Sequence, residues 1–371
     1  MGDVPADLTP QPGDPQGPAP APGPPPAPRG AGGTGAAARR WAAAVWDPTP
    51  VSMRRIALAG VISSTLIIVT GAAVRLSKSG LGCPDWPQCT RSSLVAAPTR
   101  GDPMFHTWIE FGNRMVTVVV TVVAVAVLIA AWRFRPGGPG ARRRPDLLWL
   151  AVVQPAGIVA QIVLGGIVVL TKLNPATVSL HFIVSVAVVA AAVALYVKCT
   201  EGTAPPRSLV RSDLRMLGYG VVAVTAVMLA AGTVVTGTGP LAGAGDVPRY
   251  HLPLEGVTQF HADIGWLLGG LTVALVVGLR ATRAPAQVMR LGWLVLGLIG
   301  AQGAIGYTQY FSGLPAGLVW VHVSGSLLIW IAVLQLMFAM RDRGPLIQPP
   351  PESPGGPAAS ALPEAQPAPA R

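Results

Sequence analysis

Eight stretches of this 371-residue sequence are apolar over about the 20 residues that a helix needs to cross a hydrocarbon layer of roughly 30 Å. They lie near 54–75, 107–132, 147–170, 177–198, 215–236, 257–279, 289–310 and 316–340. Backbone N–H and C=O groups find no partner in lipid, so a segment that crosses it must close its own hydrogen bonds and is a helix. Composition agrees, since 51% of the residues are apolar and only 12% charged, more apolar surface than one ordinary soluble core hides. The expected fold class is an all-α integral membrane protein with eight transmembrane helices.

The chain also repeats itself. The segment Gln161 to His181 returns, degenerately, as Gln302 to His322. In each copy a Gly stands four residues after the Gln (Gly165, Gly306), a short break carries Pro (Pro175, Pro315), and a His stands 20 residues after the Gln. Likewise T-G-A-A-V-R-L-S-K-S-G from Thr70 parallels T-G-T-G-P-L-A-G-A-G from Thr236. A repeat of four helices, an even number, leaves both halves facing the same way about a pseudo-two-fold axis along the membrane normal. Two tandem four-helix bundles are expected, residues 51–200 and 201–343. Outside them, 11 of the 38 prolines fall in residues 1–28 and nine more in 344–371. Residues 1–50 and 344–371 are therefore expected to be disordered Pro/Ala/Gly-rich tails. The N-terminus also lacks the short apolar core of a signal peptide.

A net charge of +11 raises the question of a nucleic-acid partner, but the basic residues form neither one face nor one tract. They mark orientation instead. With the N-terminus inside, eighteen Lys and Arg flank the inner helix ends, against six outside: Arg75, Lys78, Arg91, Arg100, Lys172 and Arg249. That excess places both termini in the cytoplasm and makes the lipid bilayer, not nucleic acid, the partner. Cys83 and Cys89 then fall in the first outer loop, G-L-G-C-P-D-W-P-Q-C, where an oxidising compartment permits a disulfide; two free thiols are the alternative. Cys199, at the inner end of the fourth helix, is expected to stay reduced and to serve packing.

Four of the five histidines lie within two turns of an outer helix end: His106, His181, His261 and His322. A lone membrane histidine is often only a hydrogen-bonded packing residue. His261 and His322 are different, because they sit on alternate helices of one half, and paired imidazoles at one depth are what an iron porphyrin needs for two axial ligands. Zinc would ask for three or four N or S ligands, which neither half supplies. On the second helix, H-T-W-I-E-F-G-N-R-M places His106, Glu110 and Arg114 four residues apart on one face, with Asn113 at its border. Glu110 and Arg114 could be a plain helix-stabilising ion pair, yet charges at membrane depth are costly without a specific return. Arg114, Arg75 and Lys78 would all suit the propionates of a porphyrin. Asp263, two residues after His261, orients either a ligand or the helix start.

Three features together resemble the heme A synthase family of cytochrome oxidase assembly: the outer-loop segment from Arg75 to Pro87, the E-F-G-N-R segment at 110–114, and the histidines His181, His261 and His322. The likeness covers roughly 54–340. It implies an oxidoreductase of the cell membrane that converts a methyl group of heme O to a formyl group, with substrate heme in the N-terminal half and a heme b cofactor in the C-terminal half. It assigns His261 and His322 as the heme b iron ligands, His181 as a substrate-heme ligand, Glu110 as the catalytic carboxylate, and Cys83 with Cys89 as the outer-loop cysteine pair. Heme O synthase and a membrane or soluble electron donor are the implied partners, and a homo-oligomer is compatible with it. One position departs from the family pattern: Asn113 stands where Glu-x-x-His-Arg has its histidine, so His181 holds the substrate iron alone or His106 approaches it. The competing reading is a membrane diheme electron carrier of the quinol-oxidising type, which would want a bis-histidine pair near each membrane face.

Overall fold

The computed structural model describes residues 34–90, 93–96, 104–138 and 140–347. The tail segments 1–33 and 348–371, and Arg91 and Arg100 of the outer basic set, lie outside the described residues. Among the described residues there are nine helices, α1 (Thr34–Trp46), α2 (Pro50–Leu76), α3 (Met104–Arg133), α4 (Pro145–Leu170), α5 (Pro175–Lys198), α6 (Ser212–Thr238), α7 (Leu254–Ala281), α8 (Ala286–Phe311) and α9 (Ala316–Ala339). Two short strands, β1 (Arg207–Ser208) and β2 (Arg341–Asp342), pair antiparallel. The eight helices α2 to α9 are long and apolar enough to cross a membrane. The protein is a multi-pass membrane protein, mostly helical with almost no strand among the described residues, and each expected apolar segment is one of these helices.

Local chemistry sets the helix ends. Thr49 and Ser52 form a reciprocal capping box at the start of α2, and Pro50, Pro145 and Pro175 open α2, α4 and α5, where a missing N–H costs nothing. One terminator closes four helices. At α2, α4, α7 and α8 a residue with positive φ (Lys78, Lys172, Arg283, Gly313) is followed or accompanied by a 6→1 bond: Ser79 N to Val74 O, Leu173 N to Val168 O, Ala284 N to Leu279 O and Leu314 N to Gln309 O, all 2.8–2.9 Å. The turns after α4 and α8 are the two Pro-bearing breaks of the sequence repeat, and they share one conformation, with left-handed φ at Lys172 and Leu173 and again at Gly313 and Leu314.

Neighbour relations repeat as well. α2 packs on α3, α3 on α4, α4 on α5, and α5 returns to α2; α6 to α9 follow the same order, with α9 returning to α6. α5 meets α6 and α9, and α2 meets α9. A seam of Val61, Val186, Val189, Val193, Leu229, Leu327 and Trp330 fills the space among α2, α5, α6 and α9. Trp330 Nε1 donates to the Val186 carbonyl at 3.1 Å and Trp320 Nε1 to the Val69 carbonyl at 3.0 Å, fixing α9 against α5 and α2. Because lipid removes the hydrophobic drive between helices, close approach at small residues does the remaining work: Gly157 lies under Val188 and Gly278 under Leu214.

The ends differ from expectation in two places. The disordered tail expected to residue 50 gives way to α1, because no proline falls between Pro28 and Pro48 and A-A-A-R-R-W-A-A-A-V-W is rich in strong helix formers. Val45 is buried beside Met53 and Ile56, and the Trp46 carbonyl accepts from Arg133 Nε at 2.7 Å. At the other terminus the chain stays ordered beyond 344, since the Gly344 carbonyl accepts from Gly202 N at 3.0 Å and Leu346 packs near the same core. Here the buried Arg144 grips Asp146 through two bonds and reaches the carbonyls of Glu201 and Lys198, while Arg341 pairs with Glu201 at 3.0 Å.

Cys199 sits in this layer, fully buried, and burial pushes its thiol up to about 12. Against an unfolded value of about 8.5, a raised folded value means that stability is lost as pH climbs from about 9 towards 12. At pH 8 only about one thiol in 10⁴ is thiolate, the reactive form. Maleimide labelling at pH 8 should therefore be at least tenfold slower in the native detergent-solubilised protein than after SDS denaturation; equal rates would show that Cys199 is open.

Candidate functional site

Four helix pairs carry one device, a glycine on the first helix facing a nitrogen-bearing side chain on the second. A Cβ on Gly306 of α8 would come within 3.3 Å of His322 Cε1 on α9, and one on Gly232 of α6 within 3.2 Å of His261 Cε1 on α7. On α4, Gly165 stands in the same relation to His181 of α5 at 3.5 Å, and on α2, Gly71 faces Asn113 Nδ2 of α3 at 3.9 Å. Any side chain at Gly232 or Gly306 would crowd the imidazole it faces. The His261 and His322 rings are thereby brought together, centroids 6.3 Å apart and planes at 72°. In His181, His261 and His322 alike, Nδ1 is buried and no hydrogen bond within the protein claims it.

The 6.3 Å separation has a chemical meaning. A transition metal sits about 2.0 Å from an imidazole nitrogen, and the ring centre lies about 1.1 Å behind that nitrogen. Two imidazoles on opposite sides of one metal atom thus have centres about 6.2 Å apart, twice that sum. Among the described residues no three His, Cys, Asp or Glu side chains gather. A pair of imidazoles suits an iron whose other four bonds come from a porphyrin. The two repeat glutamines brace the ligand-bearing helices: Gln161 Nε2 donates to the His181 carbonyl at 2.9 Å and Ser185 Oγ at 2.7 Å, and the Gln302 amide fills the place over Gly325 where a side chain would stand.

Glu110 is engaged with the loop above it. Cys83 and Cys89 form a disulfide and are both fully buried. Glu110 Oε2 accepts from the Cys83 N–H at 2.8 Å and Oε1 from Arg114 at 2.7 Å, with the Glu110 side chain only 8% exposed. Arg114 is more than an ion-pair partner, because it also donates to the carbonyls of Cys83, Asp85 and Gln88. Trp86 projects from this loop onto α4, its ring 2.7 Å from where a Cβ on Gly166 would be. The Gly165–Gly166 pair thus admits an imidazole and an indole side by side.

The remaining expected site residues are placed as follows. Arg75 reaches across to α6, donating to the carbonyls of Thr236 at 2.8 Å and Leu241 at 3.0 Å. Beside it the Gly80 N–H donates to the Gly243 carbonyl, tying the two long loops together. His106 Nδ1 bonds Ser79 Oγ at 2.8 Å. Lys78 is exposed at the end of α2. Asp263 is exposed and accepts from Gln259 Nε2 at 2.7 Å, so it faces along its own helix. Sequence reasoning missed Thr70, whose hydroxyl donates to Asn113 Oδ1 at 2.7 Å, and Trp86. The Thr70–Thr236 correspondence is also out of register, since the α6 glycine that faces an imidazole is Gly232, whereas Gly237 packs on Tyr250. Gly165–Gly166 was the available signal for Trp86.

Fold and site together define a multi-pass membrane protein with a facing pair of imidazoles on α7 and α9 and a disulfide-closed loop packed on α3 and α4. The cytochrome oxidase assembly protein family, COX15-CtaA, matches residues 54–334, and the chain belongs to it. Among curated relatives, a heme A synthase of Shewanella oneidensis is 24% identical over 323 residues, 75% of this chain and 93% of that one. A heme A synthase of Geobacillus thermodenitrificans is 33% identical over 115 residues, 31% of this chain and 32% of that one. One of Geobacillus kaustophilus is 31% identical over 113 residues, 30% and 32%. The chain spans about a third of the length of these two Geobacillus relatives in the matched region.

The glycine register is open to test. Gly306→Leu should displace His322 and cut the iron porphyrin bound per mole of protein severalfold, whereas Gly303→Leu, with nothing within 4 Å of its added Cβ, should leave it unchanged. Equal pigment in the two variants would contradict the register.

Proposed function

We propose that this protein is a heme A synthase of the plasma membrane, taking heme O from lipid and oxidising one ring methyl group to formyl, with heme b held by His261 and His322. The observation that carries the reading is the 6.3 Å separation of those rings, each backed by glycine. Residues 51–200 and 201–343 are read as two four-helix bundles related by an axis along the membrane normal, a reading the repeated neighbour order supports. The excess of basic residues at the helix ends around Arg144 and Arg341 supports cytoplasmic termini.

When bound, heme b supplies one-electron chemistry between an electron donor and the substrate side. His181, backed by Gly165, holds the iron of heme O. Methyl becomes formyl through two successive hydroxylations, each consuming one dioxygen, two protons and two electrons from the donor, with one oxygen going to carbon and the other to water; the resulting geminal diol then loses water. Glu110, fixed by Arg114 and the Cys83 N–H, presents negative charge three residues from Asn113, where it stabilises positive charge at the reacting carbon or takes its proton. Arg114 and Arg75 already serve backbone carbonyls, which leaves Lys78 as the cation best disposed towards a ring carboxylate. Trp86 and the disulfide loop exclude water from above. Heme O synthase is the natural supplier of substrate. An amide at position 113 speaks against the diheme carrier, which would use a second imidazole pair.

Cells expressing the chain with a heme O synthase should yield heme A on pigment chromatography. Glu110→Gln should lower that yield on the order of 10²-fold while leaving heme b bound. Undiminished heme A from Glu110→Gln would remove the carboxylate from the mechanism.

A further inference from the structure

Three of the four glycine-backed positions hold imidazoles and the fourth holds an amide. Asn113 is fixed there: its Oδ1 takes the Thr70 hydroxyl at 2.7 Å, and its Nδ2 faces Gly71. An amide nitrogen has its lone pair delocalised into the carbonyl, and an amide oxygen is a hard donor better matched to magnesium or calcium than to porphyrin iron. No nearby imidazole takes over. His106 lies seven residues up α3, about 10 Å along the axis at about 1.5 Å per residue, and its Nδ1 is committed to Ser79.

We propose that the substrate iron in the N-terminal half has one protein ligand, His181, and that the amide of Asn113, which does not ligate, leaves the opposite face of that iron open to a small molecule. The inference rests on the heme O reading above. It makes the two halves unequal in chemistry though alike in build: the C-terminal iron is closed on both faces by imidazole, and the N-terminal iron is closed on one. The amide N–H groups of Asn113, held in place through Thr70, offer a hydrogen-bond donor to whatever enters that face, which tunes affinity without competing for the metal.

The test uses the full chain, purified in detergent from cells that also express heme O synthase, reduced with dithionite and titrated with carbon monoxide. Wild type should bind carbon monoxide at the N-terminal heme alone and show that heme as high-spin by magnetic circular dichroism. Asn113→His should supply the missing imidazole, turn the signal low-spin and lower carbon monoxide binding at least tenfold. Asn113→Ala should keep the high-spin signal and lose carbon monoxide affinity by less than tenfold, the effect of one hydrogen bond to a ligand that the iron still holds, and His181→Ala should lose the N-terminal heme. A low-spin, carbon monoxide-inert N-terminal heme in wild type overturns the inference, as does a tenfold loss of binding in Asn113→Ala or a spectrum that His181→Ala leaves unaltered. Absence of heme A from the extracted pigment, with the carbon monoxide results as expected, would overturn the proposed function alone.

Discussion

An imidazole carried into a membrane by a helix needs room against its neighbour and a partner for its nitrogens, and the helix pair meets the first need here. Glycine supplies the room: Gly165, Gly232 and Gly306 each remove the side chain that would crowd His181, His261 and His322. Nδ1 of His261 and His322 lies on the glycine side, 3.8 Å from where each glycine's Cβ would stand, and in all three rings Nδ1 is buried without a side-chain partner. A buried polar atom left unpaired costs roughly 1–3 kcal/mol, so all three rings are costly to bury for packing alone. The shared turn after α4 and α8, with its left-handed pair of residues, places His181 and His322 alike on the second turn of the following helix.

The two ends of the helices spend their charges differently. At the end that holds Arg144 and Arg341, Lys198 pairs with Asp146 between α5 and α4, and Arg341 of β2 pairs with Glu201. At the opposite end Arg75 and Arg114 donate chiefly to backbone carbonyls of loops, and Glu110 accepts a loop N–H. Arg75, which bonds carbonyls alone, is met by backbone dipoles rather than by a carboxylate, whereas Arg114 combines loop carbonyls with the Glu110 carboxylate. The disulfide, Glu110 and Trp86 form one connected assembly, so the carboxylate given a catalytic role by family resemblance is also a structural anchor of the lid.

Much of this was legible in the residues. Helices in lipid have one solution for their backbone, so eight apolar stretches translated into eight helices, and the Gln–Gly–Pro–His repeat named His181 and His322 before any geometry was known. What escaped were interactions that depend on which helix face meets which. Thr70 against Asn113 joins residues 43 apart, and Arg75 against Thr236 joins residues 161 apart. The T-G pairs at 70 and 236 look equivalent as letters, yet the glycine that backs His261 is Gly232. Helix α1 escaped because a proline-rich beginning masked the Ala-rich segment behind it, and Arg114 looked free for a propionate because its loop partners are carbonyls, which no side-chain pattern reveals.

The central claim is that His261 and His322 grip one iron between them. Electron paramagnetic resonance of the ferric protein tests it most directly. A low-spin signal from heme b in the wild type that turns high-spin in both His261→Ala and His322→Ala, with the porphyrin retained in at least one of them, is the predicted result. A heme b signal indifferent to either substitution would contradict the account at its base.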